Sequence, residues 1–234
     1  MLNTLELTGR ADSHVRRVAE LDALLHAETA TALAALRAAA AREGLALYVT
    51  SGFRDFERQA AIWNAKFRGE RPLYDRSGRR IERSSLSEHE AIQSILAWSA
   101  LPGASRHHWG SDCDVIDAEA VPEGYRPQLQ PAEFAPDGVF ARLSGWLSEN
   151  AARFGFYRPY ATDRGGVMPE PWHLSYAPVA VGALEALTLD ALREALATAG
   201  ALAGRDLILA ALPELYERFV LNVDEPPGVA LSGA

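Results

Sequence analysis

The sequence predicts an α+β fold: a small, mainly antiparallel β-sheet flanked by N-terminal helices and followed by a helical C-terminal extension. Two patterns predict this fold. Segments at 45–50, 112–115 and 172–176 alternate polar and apolar residues, which is typical of half-buried strands. Elsewhere apolar residues recur at three- and four-residue steps, which is typical of amphipathic helices. With 234 residues and 48% hydrophobic content, the chain can bury one core and a small appendage.

The charge and the apolar runs exclude some classes of protein. A net charge of -8 and a pI near 5.3 argue against nucleic acid or an anionic membrane as a partner. No run of 18 apolar residues predicts a membrane span. The N-terminus lacks a basic segment followed by an apolar one, so we expect a cytoplasmic protein, or a periplasmic one if the chain is a processed form.

The N-terminal part predicts helix, strand and helix in that order. The apolar spacing over 14–43 predicts a long helix that ends at Gly44. The strand at 45–50 then leads into a turn that presents Arg54. A second helix follows, with the Asp55 carboxylate as its cap.

The middle of the chain predicts an exposed basic hairpin or flap at 70–84. A capping box from Ser87 to Glu90 opens the next helix. After a proline-rich, acidic loop at 116–136, another amphipathic helix covers 139–154.

The predicted domain boundary follows the last segment that contains candidate site residues. We expect one domain over 1–179 and a leucine- and alanine-rich helical extension over 180–222, which packs on the core or mediates self-association. Residues 223–234 read as a disordered tail.

The densest group of polar residues lies at 105–114, where two adjacent histidines precede Gly110. Glycine suits a turn at this point. The following alternation places Asp112 and Asp114 on one face of a strand and Cys113 on the other. Cys113, the single cysteine, is therefore expected to be a buried structural residue, because nearby carboxylates raise a thiol pKa.

A second stretch, 170–173, supplies another histidine. His107, Asp114 and His173 together make a two-histidine, one-aspartate set that suits Zn²⁺ with a fourth position for water. Glu170, three residues before a ligand, is placed to act as a general base for that water. Arg54 offers a fixed positive charge for a developing oxyanion or a substrate carboxylate.

Three motifs in the same order resemble one family. They are Ser-Gly-Phe-Arg at 51–54, Ser-x-His-x-x-Gly-x-x-x-Asp at 105–114 and Glu-x-Trp-His at 170–173. The pattern resembles the VanY-type D-alanyl-D-alanine carboxypeptidases, which belong to the LAS zinc metallopeptidases and share a zinc site with the Hedgehog signalling domain. The resemblance covers about 45–176.

The resemblance implies a zinc-dependent hydrolase that removes the terminal D-alanine of peptidoglycan stem peptides in cell-wall recycling or remodelling. Its partner would be a muropeptide. Tetrapeptides would need L,D-cleavage and pentapeptides D,D-cleavage, with the first favoured for a cytoplasmic form. The implied roles are zinc ligand for His107, Asp114 and His173, base for Glu170, transition-state stabiliser for Arg54, and holder of the terminal carboxylate for Ser105 and Gln59.

The chain departs from the family pattern at Asp112, where a small residue is usual. This carboxylate can orient a zinc ligand from behind or alter which substrate end is accepted. Trp172 is expected beside the ligands as a supporting residue. His108 would replace His107 as the ligand if the strand register differed.

Two other functions remain open from the sequence. A non-catalytic zinc-binding module of the Hedgehog kind would keep the metal, but it has no use for Glu170. A non-haem iron oxygenase also uses two histidines and a carboxylate, but it typically begins with His-x-Asp, which neither His107 nor His108 provides.

Overall fold

The strands form a central sheet and two small hairpins. The structure, a computed structural model, describes residues 1–228; residues 229–234 lie outside the described part. The strands are β1 Val15–Val18, β2 Ala23–His26, β3 Leu47–Ser51, β4 Leu73–Tyr74, β5 Arg80–Ile81, β6 Asp112–Asp117, β7 Phe156–Tyr157 and β8 His173–Tyr176.

The helices alternate with these strands and then follow them toward the C-terminus. They are α1 Thr4–Leu7, α2 Ala27–Arg42, α3 Phe56–Phe67, α4 Glu88–Leu96, α5 Ala141–Asn150, α6 Ala177–Ala186, α7 Leu189–Ala197, α8 Arg205–Ala210 and α9 Leu212–Tyr216. The predicted α+β class is confirmed. No helix within residues 1–228 has the length and apolar content needed to cross a lipid bilayer.

The central sheet has the strand order β3-β6-β8-β7, and every neighbouring pair is antiparallel. Strand β6 therefore lies between β3 and β8. The register pairs Asp114 with His173, so these two residues from distant parts of the chain lie opposite each other. A register shift between Val49 and Ser51 ends the regular pairing of β3 beside Asp114.

One face of the sheet packs against α2 and α5. Cys113 and Val115 point into this core and are fully buried, together with Leu174 of β8. The alternation predicted for β6 is confirmed, because Asp112 and Asp114 then belong to the opposite face. Burial raises the pKa of the Cys113 thiol, with Asp114 and Asp112 adding to the effect, so the thiol stays protonated in the core.

The second core joins α3 and α4 to the C-terminal helices. Trp63 of α3, Ile95 of α4, Leu192 of α7 and Ile208 of α8 are all buried in this one cluster. The helices after residue 180 thus share a hydrophobic core with α3 and α4. The division at 179 and 180 stays a prediction.

The predicted tail begins inside the packed structure. Val223 is buried in the second core. The Asp224 carboxylate accepts hydrogen bonds from the backbone N–H groups of Ala161 and Thr162, both at 2.8 Å. The last six residues of the predicted tail, 229–234, lie outside the described residues.

The prediction of one helix over 14–43 is wrong in its first half. Residues 15–26 form the β1–β2 hairpin, and α2 begins only at Ala27. Backbone hydrogen bonds from distant segments hold the hairpin: Phe53 N–H donates to Leu24 O at 2.9 Å, and His26 N–H donates to Gly110 O at 3.0 Å. These bonds replace those that a helix would have made within the segment itself.

Other local predictions are confirmed. The Asp55 side chain caps α3 by accepting from Arg58 N–H at 2.7 Å. The Ser87–Glu90 capping box opens α4. Strands β4 and β5 form the predicted hairpin within 70–84.

Candidate active site

The two adjacent histidines lie in a short 3-10 turn, Arg106–Trp109, and their side chains point in different directions. Successive side chains of a 3-10 turn point about 120° apart. His107 therefore faces β6, where its Nε2 lies 3.4 Å from Asp114 Oδ2. Its Nδ1 lies 2.9 Å from Gly52 O, and because a carbonyl can only accept, Nδ1 carries the proton and the Nε2 lone pair faces Asp114.

His108 points the other way and uses both ring nitrogens within the protein. Its Nδ1 donates to Arg54 O at 2.6 Å, and its Nε2 accepts from Gly103 N–H at 3.1 Å. Burial lowers the pKa of His108 to about 3, so the ring is neutral. The structure therefore places His107, rather than His108, beside Asp114 and His173.

The antiparallel register completes the cluster. His173 Nδ1 lies 3.4 Å from Asp114 Oδ1, and the rings of His107 and His173 meet edge to face at 4.9 Å. All three residues are buried, and each offers one ligand atom within 4.8 Å of the others. His173 comes 59 positions after Asp114 in the sequence, and the two residues meet because β6 pairs with β8.

The cluster fits a divalent metal ion. The Asp114 Oδ1 atom is buried and has no hydrogen-bond partner among the described residues. A buried carboxylate oxygen without a donor is costly unless a cation is bound. Two imidazole nitrogens and a carboxylate oxygen form a ligand set that Zn²⁺ accepts in sites with an open position.

The charge around His173 also favours a cation. Burial alone would lower the pKa of His173, but contacts with Asp112, Asp114 and Glu170 raise it well above its usual value. For Asp114, burial acts to raise the pKa, and His107 and His173 outweigh it and hold the pKa well below its usual value. Three carboxylates thus converge on one imidazole.

Asp112 lies behind His173. Its Oδ1 accepts from His173 Nε2 at 2.9 Å and from Arg106 Nε at 2.9 Å. Although burial raises the pKa of Asp112, Arg106 and His173 hold it well below its usual value, so it is ionised. An ionised Asp112 accepts the Nε2 proton of His173 and leaves Nδ1 as the nitrogen that faces Asp114 and can bind an ion once it releases its own proton.

Arg106 was not identified from the sequence. Its Nη2 donates to Tyr157 Oη at 2.8 Å and to Ser175 Oγ at 2.7 Å, and its guanidinium lies 4.7 Å from the centre of the Trp109 ring. The sequence held a signal for Arg106. An aspartate at an inward-facing strand position, such as Asp112, needs a buried cation, and Arg106 is the nearest arginine or lysine before it.

Arg54 reaches the cluster from the end of β3. Its Nη2 lies 3.8 Å from Asp114 Oδ2, and its Nη1 donates to Gln59 Oε1 at 3.1 Å. Gln59 is itself fixed, since its Nε2 donates to Ala100 O at 2.8 Å. The Arg54 Nε donor is buried without a partner in the described residues. Burial lowers the pKa of Arg54, while Asp114 and Glu170 act to raise it.

Glu170 lies beside the cluster, with its Oε2 3.3 Å from His173 Nδ1. Its backbone N–H donates to Tyr160 O at 2.9 Å, and its own carbonyl accepts from His173 N–H at 3.1 Å. Tyr160, a second residue that sequence reasoning missed, packs edge to face on His173 at 5.2 Å. Burial raises the pKa of the Tyr160 hydroxyl, so it is a neutral donor.

Ser105 and Trp172 occupy different surroundings. Ser105 lines a cavity of about 50 Å³ together with Arg54, Gln59, His107, Tyr160 and His173. Trp172 instead packs against Phe134, with ring centres 5.6 Å apart, in a small aromatic cluster. Trp172 therefore anchors the segment that carries His173, and the six other side chains named here line the cavity.

Comparisons with known proteins identify the family of this chain. The VanY family profile, D-alanyl-D-alanine carboxypeptidase, matches residues 22–179. An uncharacterized protein of Haemophilus influenzae is 33% identical over 123 residues, which are 52% of this chain and 93% of that protein.

Two solved structures share the fold. VanYB in complex with D-alanine-D-alanine has a TM-score of 0.54 at 24% identity, covering 82% of this chain and 92% of that one. A mutant of the vancomycin resistance D,D-pentapeptidase VanY in complex with Zn(II) has a TM-score of 0.51 at 25% identity, covering 78% and 88%. Because the family profile spans more than half of the sequence, this chain belongs to the VanY family of D-alanyl-D-alanine carboxypeptidases, which are hydrolases.

Proposed function

We propose that the protein is a zinc-dependent carboxypeptidase that releases the terminal D-alanine of peptidoglycan stem peptides, by L,D- or D,D-cleavage, in cell-wall recycling or remodelling. One observation carries the proposal: His107, Asp114 and His173 converge within 4.8 Å, with Glu170 beside them. Membership of the VanY family supports the same reaction.

The zinc ligands would be His107 Nε2, Asp114 and His173 Nδ1. When bound, zinc lowers the pKa of a coordinated water toward about 7 and polarises the carbonyl of the scissile bond. The hydrogen bonds from His107 Nδ1 to Gly52 O and from His173 Nε2 to Asp112 fix both imidazole tautomers in advance. The ligand nitrogens therefore face Asp114 before an ion binds, and His173 Nδ1 has only to release its proton.

Glu170 is the proposed general base. Its carboxylate lies at the rim of the ligand cluster, where it can take a proton from the attacking water and return it to the leaving amine. Its backbone is held on both sides, by Tyr160 and by His173. A fixed backbone keeps the carboxylate within reach of the reacting atoms.

Arg54 is proposed to stabilise the negative charge that develops on the carbonyl oxygen. Gln59 holds one end of the guanidinium, and the Nε donor has no partner in the described residues. A preorganised cation at a buried position contributes more than the same charge would in water.

Ser105 and Gln59 are proposed to hold the terminal carboxylate of the substrate. Both side chains line the cavity beside His107. Gln59 uses one N–H of its amide on Ala100 O, which leaves the second N–H available. Neutral donors suit this task, since a carboxylate accepts several hydrogen bonds.

The decisive experiment incubates zinc-loaded protein with matched tetrapeptide and pentapeptide muropeptides and follows free D-alanine by mass spectrometry. We expect release from one or both peptides. Glu170→Gln should lower the rate about 10²- to 10⁴-fold while retaining zinc. Zinc binding without any release by the wild-type protein would contradict the proposal and favour a non-catalytic, Hedgehog-like module.

A further inference from the structure

Lys66 stands apart from the other cations of the chain. It is the single lysine among 23 basic residues. It lies near the C-terminal end of α3 and is only partly exposed. The catalytic roles proposed above do not use it.

The helix geometry directs Lys66 toward the substrate side of the protein. Gln59 and Lys66 are seven residues apart on α3, so they share one face, and their separation along the axis is about 10 Å. Gln59 faces the cavity beside His107. Lys66 lies within electrostatic reach of Glu170, Arg54 and Arg71.

Two positive charges at this end of α3, those of Lys66 and Arg71, make no direct contact with an acidic side chain among residues 1–228. Neither the Lys66 ammonium nor the Arg71 guanidinium forms an ion pair or a side-chain hydrogen bond with any described residue. By contrast Arg68, on the same turn of the chain, pairs with Glu70 at 2.6 Å. Burial lowers the pKa of Lys66 to about 8, Glu170 acts to raise it, and Arg54 and Arg71 lower it further. A bound anion would relieve this cost.

The distance identifies which part of a substrate meets Lys66. A carboxypeptidase substrate extends from the scissile bond in one direction only, toward its N-terminus, because the other side ends at the released residue. An extended peptide spans about 3.3 to 3.6 Å per residue, so the separation of about 10 Å between Gln59 and Lys66 corresponds to roughly three residues. An anion near Lys66 therefore belongs to the peptide upstream of the scissile bond.

We infer that Lys66, with Arg71 beside it, forms a second anion-binding subsite that takes a carboxylate of the stem peptide upstream of the released residue. This inference rests on the proposed function. Two carboxylates have the required chemistry: the side-chain carboxylate of meso-diaminopimelate and the free α-carboxylate of a γ-linked D-glutamate. Lys66 is thus a determinant of substrate specificity rather than of the chemical step.

The test uses the stem peptide that the wild-type enzyme cleaves, in three forms: with both upstream carboxylates free, with only diaminopimelate amidated, and with only D-glutamate amidated. For the free peptide, Lys66→Gln should raise KM about tenfold or more with kcat within about twofold of wild type. Lys66→Arg should restore most of the affinity. Arg68→Gln is the matched control, and it should change neither constant.

The two amides identify the source of the anion. Amidation of the contacted carboxylate should raise the wild-type KM by the same factor as Lys66→Gln, and the two changes together should have no larger effect than either alone. The inference is overturned if neither amide changes KM. It is also overturned if Lys66→Gln lowers kcat equally for all three peptides and shifts the pH profile, because Lys66 would then act through Glu170. Absence of cleavage by the wild-type enzyme would refute the proposed function itself, and the subsite with it.

Discussion

The buried ion pair between Arg106 and Asp112 supports the metal ligands from behind. Arg106 Nε and Asp112 Oδ1 are 2.9 Å apart, and both side chains are almost entirely excluded from solvent. The same oxygen accepts a hydrogen bond from His173 Nε2. Asp112, which we predicted from the sequence to orient a zinc ligand from behind, is therefore hydrogen-bonded to a proposed zinc ligand.

Replacing Asp112 by Asn should weaken both folding and zinc binding. The change leaves the Arg106 charge buried without its partner, which costs about 3 to 5 kcal/mol in the free energy of unfolding. It also removes the carboxylate that fixes the His173 tautomer, so zinc affinity should fall about 10- to 100-fold. Urea unfolding and competition with a zinc chelator measure the two effects.

Asp117→Asn is a matched control for that change. Asp117 is a buried aspartate on the same strand, and its Oδ1 accepts from Ala46 N–H at 3.0 Å. The control should lose some stability but retain zinc affinity. If Asp112→Asn bound zinc as tightly as the wild-type protein, the orienting role of Asp112 would be wrong.

Replacing Arg54 by Lys should lower kcat about 10²- to 10³-fold without changing the zinc content. Lysine keeps the charge, but its donors all lie on one nitrogen, so it cannot hold Gln59 at one position and present a donor to the substrate at another. Steady-state kinetics and metal analysis test this. The exposed neighbour Arg58, changed to Lys, should behave as the wild type; an equal loss in both variants would point to a disturbed helix instead.

The stability of the metal-free protein should depend on pH through its buried histidines. Burial lowers the pKa values of His14, His107 and His108, that of His108 to about 3. Each therefore contributes stability that is fully present above the unfolded-state pKa of about 6.5 and is lost as the pH falls toward the folded-state value. The free energy of unfolding, measured with a chelator present, should fall between about pH 6.5 and 5.

The contribution of His108 can be isolated with His108→Gln, since Gln has no titrating ring. In this variant the free energy of unfolding should change with pH less steeply near pH 5, by about 1.4 kcal/mol per pH unit. This difference corresponds to one proton fewer taken up on unfolding. His173 adds no slope there, because its pKa is raised and the ring is protonated in both states below its unfolded-state value. An unchanged slope in His108→Gln would contradict the assignment.

Replacing Gly110 by Ala should disturb the hairpin contact that positions His107. Gly110 has a φ of 65°, and a Cβ there would lie 2.5 Å from Val15 Cγ1 and 2.8 Å from His26 N. Gly124→Ala is the control, because Gly124 has a φ of 76° but nothing within 4 Å. The control should cost about 1 to 2 kcal/mol for the backbone conformation alone. Gly110→Ala should cost clearly more in thermal unfolding and should also lower zinc affinity; equal losses would show that the contact is unimportant.

Local patterns in the sequence were enough for several elements near the site. The alternation at Asp112 and Asp114 predicted their common face, since side chains in a strand have a period of two. The Asp55 cap marked the beginning of α3 because a carboxylate can satisfy a free helical N–H. By contrast, residues 15–26 have a spacing that fits both helix and hairpin, and bonds to Phe53 and Gly110 select the hairpin.

The sequence by itself determined which chemical groups this protein has and in what order: two histidine-containing motifs, an inward-facing pair of aspartates and an arginine at the end of a strand. Only the tertiary structure decided which adjacent histidine faces Asp114, that Arg106 neutralises Asp112, and that Lys66 shares a helix face with Gln59 near Glu170. The physical reason is that composition and periodicity act over a few residues, whereas these contacts depend on the pairing of β6 with β8 and on burial among segments far apart along the chain.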